Sequence, residues 1–171
     1  MSPRGYVFHA EMSAIADAAR KGDGVVRVGL SGTRNLDEYG REAIENVLDA
    51  LDWFAQSQGV EVEIVQGGCV GADAYAGERA RMRSFRVHTI LPVDRSRVPA
   101  NWSSWSTSHE EGGVYRERNK KIVRRAAIVF VVADYPEDHG KSRRSGTWMT
   151  ARMAKEAMKP MWTCVQHQDE E

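Results

Sequence analysis

Five short runs of β-branched and apolar residues, at 25–30, 60–65, 86–91, 126–132 and 161–165, are each separated by a stretch of helical character. Between the first two runs, Ile44, Val47, Leu48, Leu51 and Phe54 recur at three- and four-residue steps. That spacing predicts a helix over about 38–56 with one buried face. Asp37 or Asn35 can cap its start, and Gly59 ends it. Ala72, Ala74, Ala76, Gly77 and Ala80 predict a second helix, to about Met82, small enough on one side to lie close against a sheet. Helices over 115–125 and from Gly146 to about Met158 complete the alternation, and Pro160 breaks the last. Another helix, about 10–20, precedes the first run.

Strands that alternate with helices need crossover connections, and such connections give parallel sheets with helices on both faces. The run Ala126–Val132 is apolar throughout and therefore suits a strand buried on both sides. The expected architecture is a Rossmann-like three-layer α/β sandwich, with a mostly parallel five-stranded sheet and an additional N-terminal helix. Residues 1–24 read as the N-terminal helix and linker, 25–165 as the folded domain and 166–171 as a polar tail. The stretch 93–113, with Pro99, two tryptophans and a Gly112-Gly113 end, reads as an irregular loop.

Lys plus Arg equals Asp plus Glu, 24 each, so the formal charge is zero. A protein that binds nucleic acid non-specifically usually carries a basic excess, so nucleic acid is not expected as the main partner. The two cysteines, Cys69 and Cys164, have no metal-ligand spacing, which fits a reducing, cytoplasmic setting with no metal and no cofactor. No apolar run approaches the roughly 20 residues that span a bilayer, so no membrane partner is expected.

Sheets of this kind bind ligands beyond the carboxyl ends of their strands, where the strand order reverses. The sharpest motif there is Gly67-Gly68-Cys69-Val70-Gly71-Ala72-Asp73, between a strand and a helix. Its glycines permit a tight turn, and the free N–H groups of the helix start suit a phosphate. It lacks the Gly-Lys-Ser/Thr ending of a Walker loop. Ser31-Gly32-Thr33-Arg34 ends the first strand with hydroxyls and a guanidinium, both suited to an anion. Ser145-Gly146-Thr147 repeats the logic at the last helix, approached by Lys141, Arg143 and Arg144. Lys120, Lys121, Arg124 and Arg125 read equally as a solvated face. Cys69 has no assignable base and reads as filler in a tight loop. His88 reads as structural, and His109, Glu110 and Glu111 as solvent-facing. Trp102 and Trp105 suit either stacking on a base or anchoring the long loop.

These pieces in this order, together with Ala100-Asn101-Trp102 and Arg118-Asn119, resemble the SMF/DprA–LOG (SLOG) superfamily, most closely its YspA-like branch. The resemblance covers about 25–165. It implies a nucleotide-binding domain with Ser31, Gly32, Thr33, Arg34, Gly67, Gly68, Cys69, Gly71, Asp73, Trp102, Arg118, Asn119, Ser145, Gly146 and Thr147 around the ligand. It also implies a homo-oligomer, commonly a dimer. The LOG members cleave the N-glycosidic bond of nucleoside monophosphates with a glutamate three residues after a Gly-Thr pair. Here Gly146-Thr147 is present and the glutamate position holds Thr150. A glycosidic hydrolase needs an acidic group, for which Asp73 and Asp134 are the candidates. The first expectation is therefore a protein that senses or sequesters a nucleotide-derived molecule. The alternatives are a LOG-type phosphoribohydrolase and a DprA-like binder of single-stranded DNA using 116–125.

Overall fold

The computed structural model describes residues 4–167. Its elements are α1 (Arg4–Lys21), β1 (Val25–Gly32), α2 (Glu38–Gln58), β2 (Glu61–Gln66), α3 (Ala72–Met82), β3 (Arg86–Pro92), β4 (Ser108–Gly113), α4 (Tyr115–Arg125), β5 (Ile128–Ala133), α5 (Gly146–Glu156) and β6 (Met161–Val165). Short 3-10 turns at Trp102–Ser104 and Gly140–Ser142 lie in the connections. From position 168 onward, the expected polar tail lies outside the described residues.

The six strands form one sheet in the order β4-β3-β2-β1-β5-β6, and every pairing is parallel. The chain builds outward from β1 to β4 and then returns to lay β5 on the other side of β1. The strand order therefore reverses between β1 and β5, where Leu30 stands opposite Phe130.

Side chains alternate across the strands, so each face has its own core. Val26, Val28, Leu30, Ile64, Val87 and Phe130 pack under α2 and α3, together with the fully buried Met12 and Ala16 of α1. Val129, Val131 and Ala133 pack under α4 and α5, against Val123, Trp148, Ala151 and Ala154. The stripe read from α2 is buried at Ile44, Leu48, Leu51 and Phe54, while Val47 is only partly covered. Asp37 caps that helix by accepting from the Gly40 N–H, and Gly59 ends it in the left-handed conformation at φ 65°. Among the described residues, no helix is long and apolar enough to cross a membrane.

The sheet has six strands where the sequence predicts five. The extra one, β4, lies inside the stretch read as irregular. Its sequence, Ser-His-Glu-Glu-Gly-Gly, has no β-branched residue, and most of it is exposed. It is an edge strand held through its backbone to β3, with His88 opposite Ser108 and Ile90 opposite Glu110. An edge strand whose side chains meet water has no apolar alternation to read, and charges there also discourage edge-to-edge pairing. Trp105, in the same stretch, is buried against α3. A side chain at Gly77 would come within 2.5 Å of its ring.

Candidate functional site

A cleft of about 610 Å³ opens at the carboxyl ends of β1 and β5. That volume is in the range of small-molecule sites. One wall is the chain leaving β1, which contributes Gly32, Thr33, Arg34 and Asn35. The Thr33 N–H donates to Val132 O (2.8 Å), and the Thr33 carbonyl accepts the Ala72 N–H (2.9 Å), so this wall is tied to both β5 and α3. The second tie brings the start of α3 very close. A Cβ at Gly71 would lie 2.6 Å from the Arg34 Cα, and Gly71 itself holds φ 87°.

The loop before α3, expected to cradle a phosphate, has most of its donors engaged within the protein. The Gly68 N–H donates to Gln66 Oε1, the Cys69 N–H to Asp73 Oδ2 (3.2 Å), and the Val70 N–H to Arg97 O (2.7 Å). The glycines serve closeness instead. A Cβ at Gly67 would overlap the Arg118 guanidinium, and one at Gly112 would lie 2.7 Å from the Arg118 Cγ.

Arg118, on the first turn of α4, is therefore sandwiched between two glycines and is only 8% exposed. Its Nη1 donates to Gly67 O (2.8 Å) and its Nε to Asn119 Oδ1 (2.8 Å). The Tyr115 ring lies 5.2 Å from the Arg118 guanidinium and 5.7 Å from that of Arg34. Among the described residues, neither guanidinium has a carboxylate at ion-pair distance. A buried cation is costly without a compensating anion.

The opposite wall is the chain leaving β5 and the start of α5. Ser145 caps α5 by accepting from the Trp148 N–H (3.2 Å). The N–H groups of Gly146 and Thr147 have no acceptor among the described residues. This helix start offers two adjacent free donors at the positive end of a helix dipole, whereas at α3 the first N–H, that of Ala72, is taken by Thr33 O. Lys141 and Arg144 line the same wall. Lys141 Nζ lies 4.7 Å from the Tyr135 ring centroid and donates to its hydroxyl (3.1 Å). Tyr135 is also stacked on His139, at 4.5 Å.

Asp73, on the first turn of α3, is 6% exposed and lines the cleft. Among the described residues, its Oδ1 meets no donor at hydrogen-bonding geometry. Burial pushes its carboxyl up to about 6, against the pull of Arg118 and of the Cys69 and Gly67 N–H groups. Burial likewise pushes the Cys69 thiol up, and Asp73 adds to the effect, so Cys69 is not an activated nucleophile. Asp134 accepts from Gln166 Nε2 (2.9 Å). The same amide group also donates to Asn35 O (3.1 Å) and accepts the Asp37 N–H (2.9 Å), clamping the two walls together.

Of the residues named from sequence, the cleft brings together Gly32, Thr33, Arg34, Cys69, Asp73, Arg118, Asn119, Asp134, Ser145, Gly146 and Thr147. Ser31 stands within β1 opposite Val131, and Gly67, Gly68 and Gly71 shape the walls without lining them. Trp102 does not line the cleft. It meets His109 edge-on at 5.1 Å and packs against the core. Thr150 is fully buried, and its Oγ1 donates to Gly146 O (3.0 Å). The aromatic rings in the cleft are Tyr115, Tyr135 and Trp148, none of them assigned to a ligand from sequence. Tyr135 follows the central strand β5 by two residues at the order reversal, and the strand-end rule applied there would have found it.

No protein family and no curated protein matches this chain in sequence. Solved structures do. TM1055, a structural-genomics target, aligns over 80% of this chain and 72% of its own, at 18% identity and a TM-score of 0.53. DNA processing protein A (DprA) from Helicobacter pylori aligns over 82% and 66%, at 21% identity and 0.59. DprA from Streptococcus pneumoniae aligns over 90% and 58%, at 20% identity and 0.62. The chain thus spans less than two thirds of either DprA. At these identities the likeness shows a shared three-layer α/β fold, and nothing in it singles out the YspA-like branch.

The comparison corrects one expectation. The H. pylori protein is described by its single-stranded DNA binding mode, so a zero net charge does not set nucleic acid aside on this fold. Net charge sums over a whole surface, whereas phosphate contacts are local. Here Arg34, Arg118, Lys141 and Arg144 converge on one cleft.

Proposed function

We propose that the cleft between the ends of β1 and β5 binds the phosphate-bearing part of a nucleotide, and that the protein senses or sequesters that ligand. The observation that carries this reading is Arg118: a buried guanidinium without a carboxylate partner, in a cleft whose other wall offers the free N–H groups of Gly146 and Thr147. A phosphate satisfies both, through charge-assisted bonds to the guanidinium and to a helix start. Tyr135 holds the Lys141 ammonium on this wall, through its ring and its hydroxyl, where it adds a second charge for the phosphate.

Binding without turnover is supported by Thr150. Its hydroxyl is engaged with a backbone carbonyl, so the position that holds the LOG glutamate supplies no acid or base. A DNA strand presents the same phosphate chemistry, and the DprA likeness favours including it. The test is a thermal-shift screen of nucleoside mono- and diphosphates, cyclic nucleotides and short single-stranded DNA, each mixture then analysed by mass spectrometry. A ligand at 100 times its Kd adds about 2.7 kcal/mol of stability. A shift with intact mononucleotide supports sensing or sequestration, and a shift with DNA alone supports strand binding. Release of free base restores the hydrolase, and no shift with any compound removes the reading.

A further inference from the structure

We infer that Asp73 is the acceptor for a sugar hydroxyl, so that the cleft selects a ribose 5′-phosphate unit over its 2′- or 3′-deoxy counterpart. This deepens the reading of the cleft as a nucleotide phosphate site and rests on it. Asp73 is 6% exposed, lines the cleft, and among the described residues leaves Oδ1 without a donor at hydrogen-bonding geometry.

Several neighbouring donors are already committed: the Cys69 N–H is on Oδ2, the Ala72 N–H on Thr33 O, and Arg118 Nε and Nη1 on Asn119 and Gly67. A ligand group entering the cleft supplies the partner for Oδ1. An ionised carboxylate only accepts, so that partner brings an O–H or N–H. A phosphate is excluded by like charge.

The position of Asp73 then selects between hydroxyl and base. Both groups line the cleft and meet at Cys69, whose Sγ lies 3.7 Å from Arg118 Nη1 and whose N–H donates to Asp73 Oδ2, so the two face one region of it. In a nucleotide the sugar stands between the phosphate and the base. A carboxylate beside the guanidinium that holds the phosphate accordingly meets the sugar first. Carboxylates play this part for the ribose of dinucleotides in other parallel α/β sheets. A buried carboxylate left without its donor also rejects a ligand that lacks one, so the discrimination comes from an unmade bond as much as from a made one.

The experiment is calorimetric titration of the full chain with the best-shifting nucleoside 5′-monophosphate, its 2′-deoxy and 3′-deoxy analogues, and ribose 5-phosphate, in wild type and Asp73→Asn. The expected result is that wild type binds the ribose form on the order of 10- to 100-fold more tightly than at least one deoxy form. Asp73→Asn brings the two within about threefold of each other. Equal wild-type affinities overturn the inference and leave the phosphate reading standing. So does an Asp73→Asn variant that weakens ribose and deoxy forms alike, because the carboxylate then meets the base. Should the variant fail to fold, the wild-type comparison decides alone. A wild type that binds none of the four removes the phosphate reading itself.

Discussion

The Arg118 guanidinium occupies the space in which a side chain at Gly67 would have to begin, and its Nη1 donates to the carbonyl of that same glycine at 2.8 Å. The two positions are 51 apart in sequence, one opening the turn after β2 and the other on the first turn of α4. The contact fixes a cation at the floor of the cleft without using an acidic residue to do so.

Arg118→Leu should therefore remove nucleotide binding, on the order of 100-fold or more in Kd, because a buried charge-assisted pair is lost. Arg118→Lys keeps the charge but not the planar fork and should fall between the two. Titration beside an unchanged far-UV spectrum checks both. Binding within threefold of wild type in Arg118→Leu would place the anion elsewhere.

Gly67→Ala should cost about 1–3 kcal/mol of stability and most of the binding, since the new Cβ displaces the guanidinium. The cost should shrink in the double variant with Arg118→Ala, where the space is free. Chemical denaturation of the four proteins reads this coupling directly, and additive costs would show that the overlap is relieved by other movements.

The pH dependence of Asp73 has a definite sign. Its folded value of about 6 lies above the ordinary 3.8, so between those values the native state holds more protons than the unfolded chain. Stability from this group is then full below pH ~4 and is lost as pH rises through about 6, a change of about 3 kcal/mol. Asp73→Asn should remove that slope and melt higher than wild type at pH 7 without ligand. Melting curves from pH 4 to 8 test it, and a variant less stable at pH 7 would contradict it.

Gly146→Pro separates the fold from the site. Gly146 opens α5, nothing lies within 4 Å of where its Cβ would be, and Ser145 has the extended backbone (φ −70°, ψ 120°) that suits a following proline. The substitution should hold or raise stability by up to about 1 kcal/mol. It also removes one of the two free N–H donors and should weaken phosphate binding roughly 5- to 10-fold. Unchanged affinity would mean the α5 start does not meet the ligand.

Much of the framework was legible in the chain because its signals are local. The α2 stripe, its Asp37 cap and the Gly59 stop all act within a few residues, and each needs only periodicity or one side chain. The β4 strand was not legible, because only backbone pairing to β3 makes Ser-His-Glu-Glu-Gly-Gly extended. Gln166 was placed in a polar tail by composition, yet its amide joins Asp134, Asn35 and Asp37 across three separate segments.

By itself, the sequence determined the alternation of strands and helices, and with it a parallel sheet with glycine turns at its strand ends. Only the tertiary structure decided which of two similar helix starts keeps its first N–H free. At α3 the close approach at Gly71 lets the Thr33 carbonyl engage the Ala72 N–H, while at α5 no such neighbour arrives at Gly146. Whether a donor is free depends on what the rest of the fold brings beside it, and residues far apart in the chain settle that only once they pack.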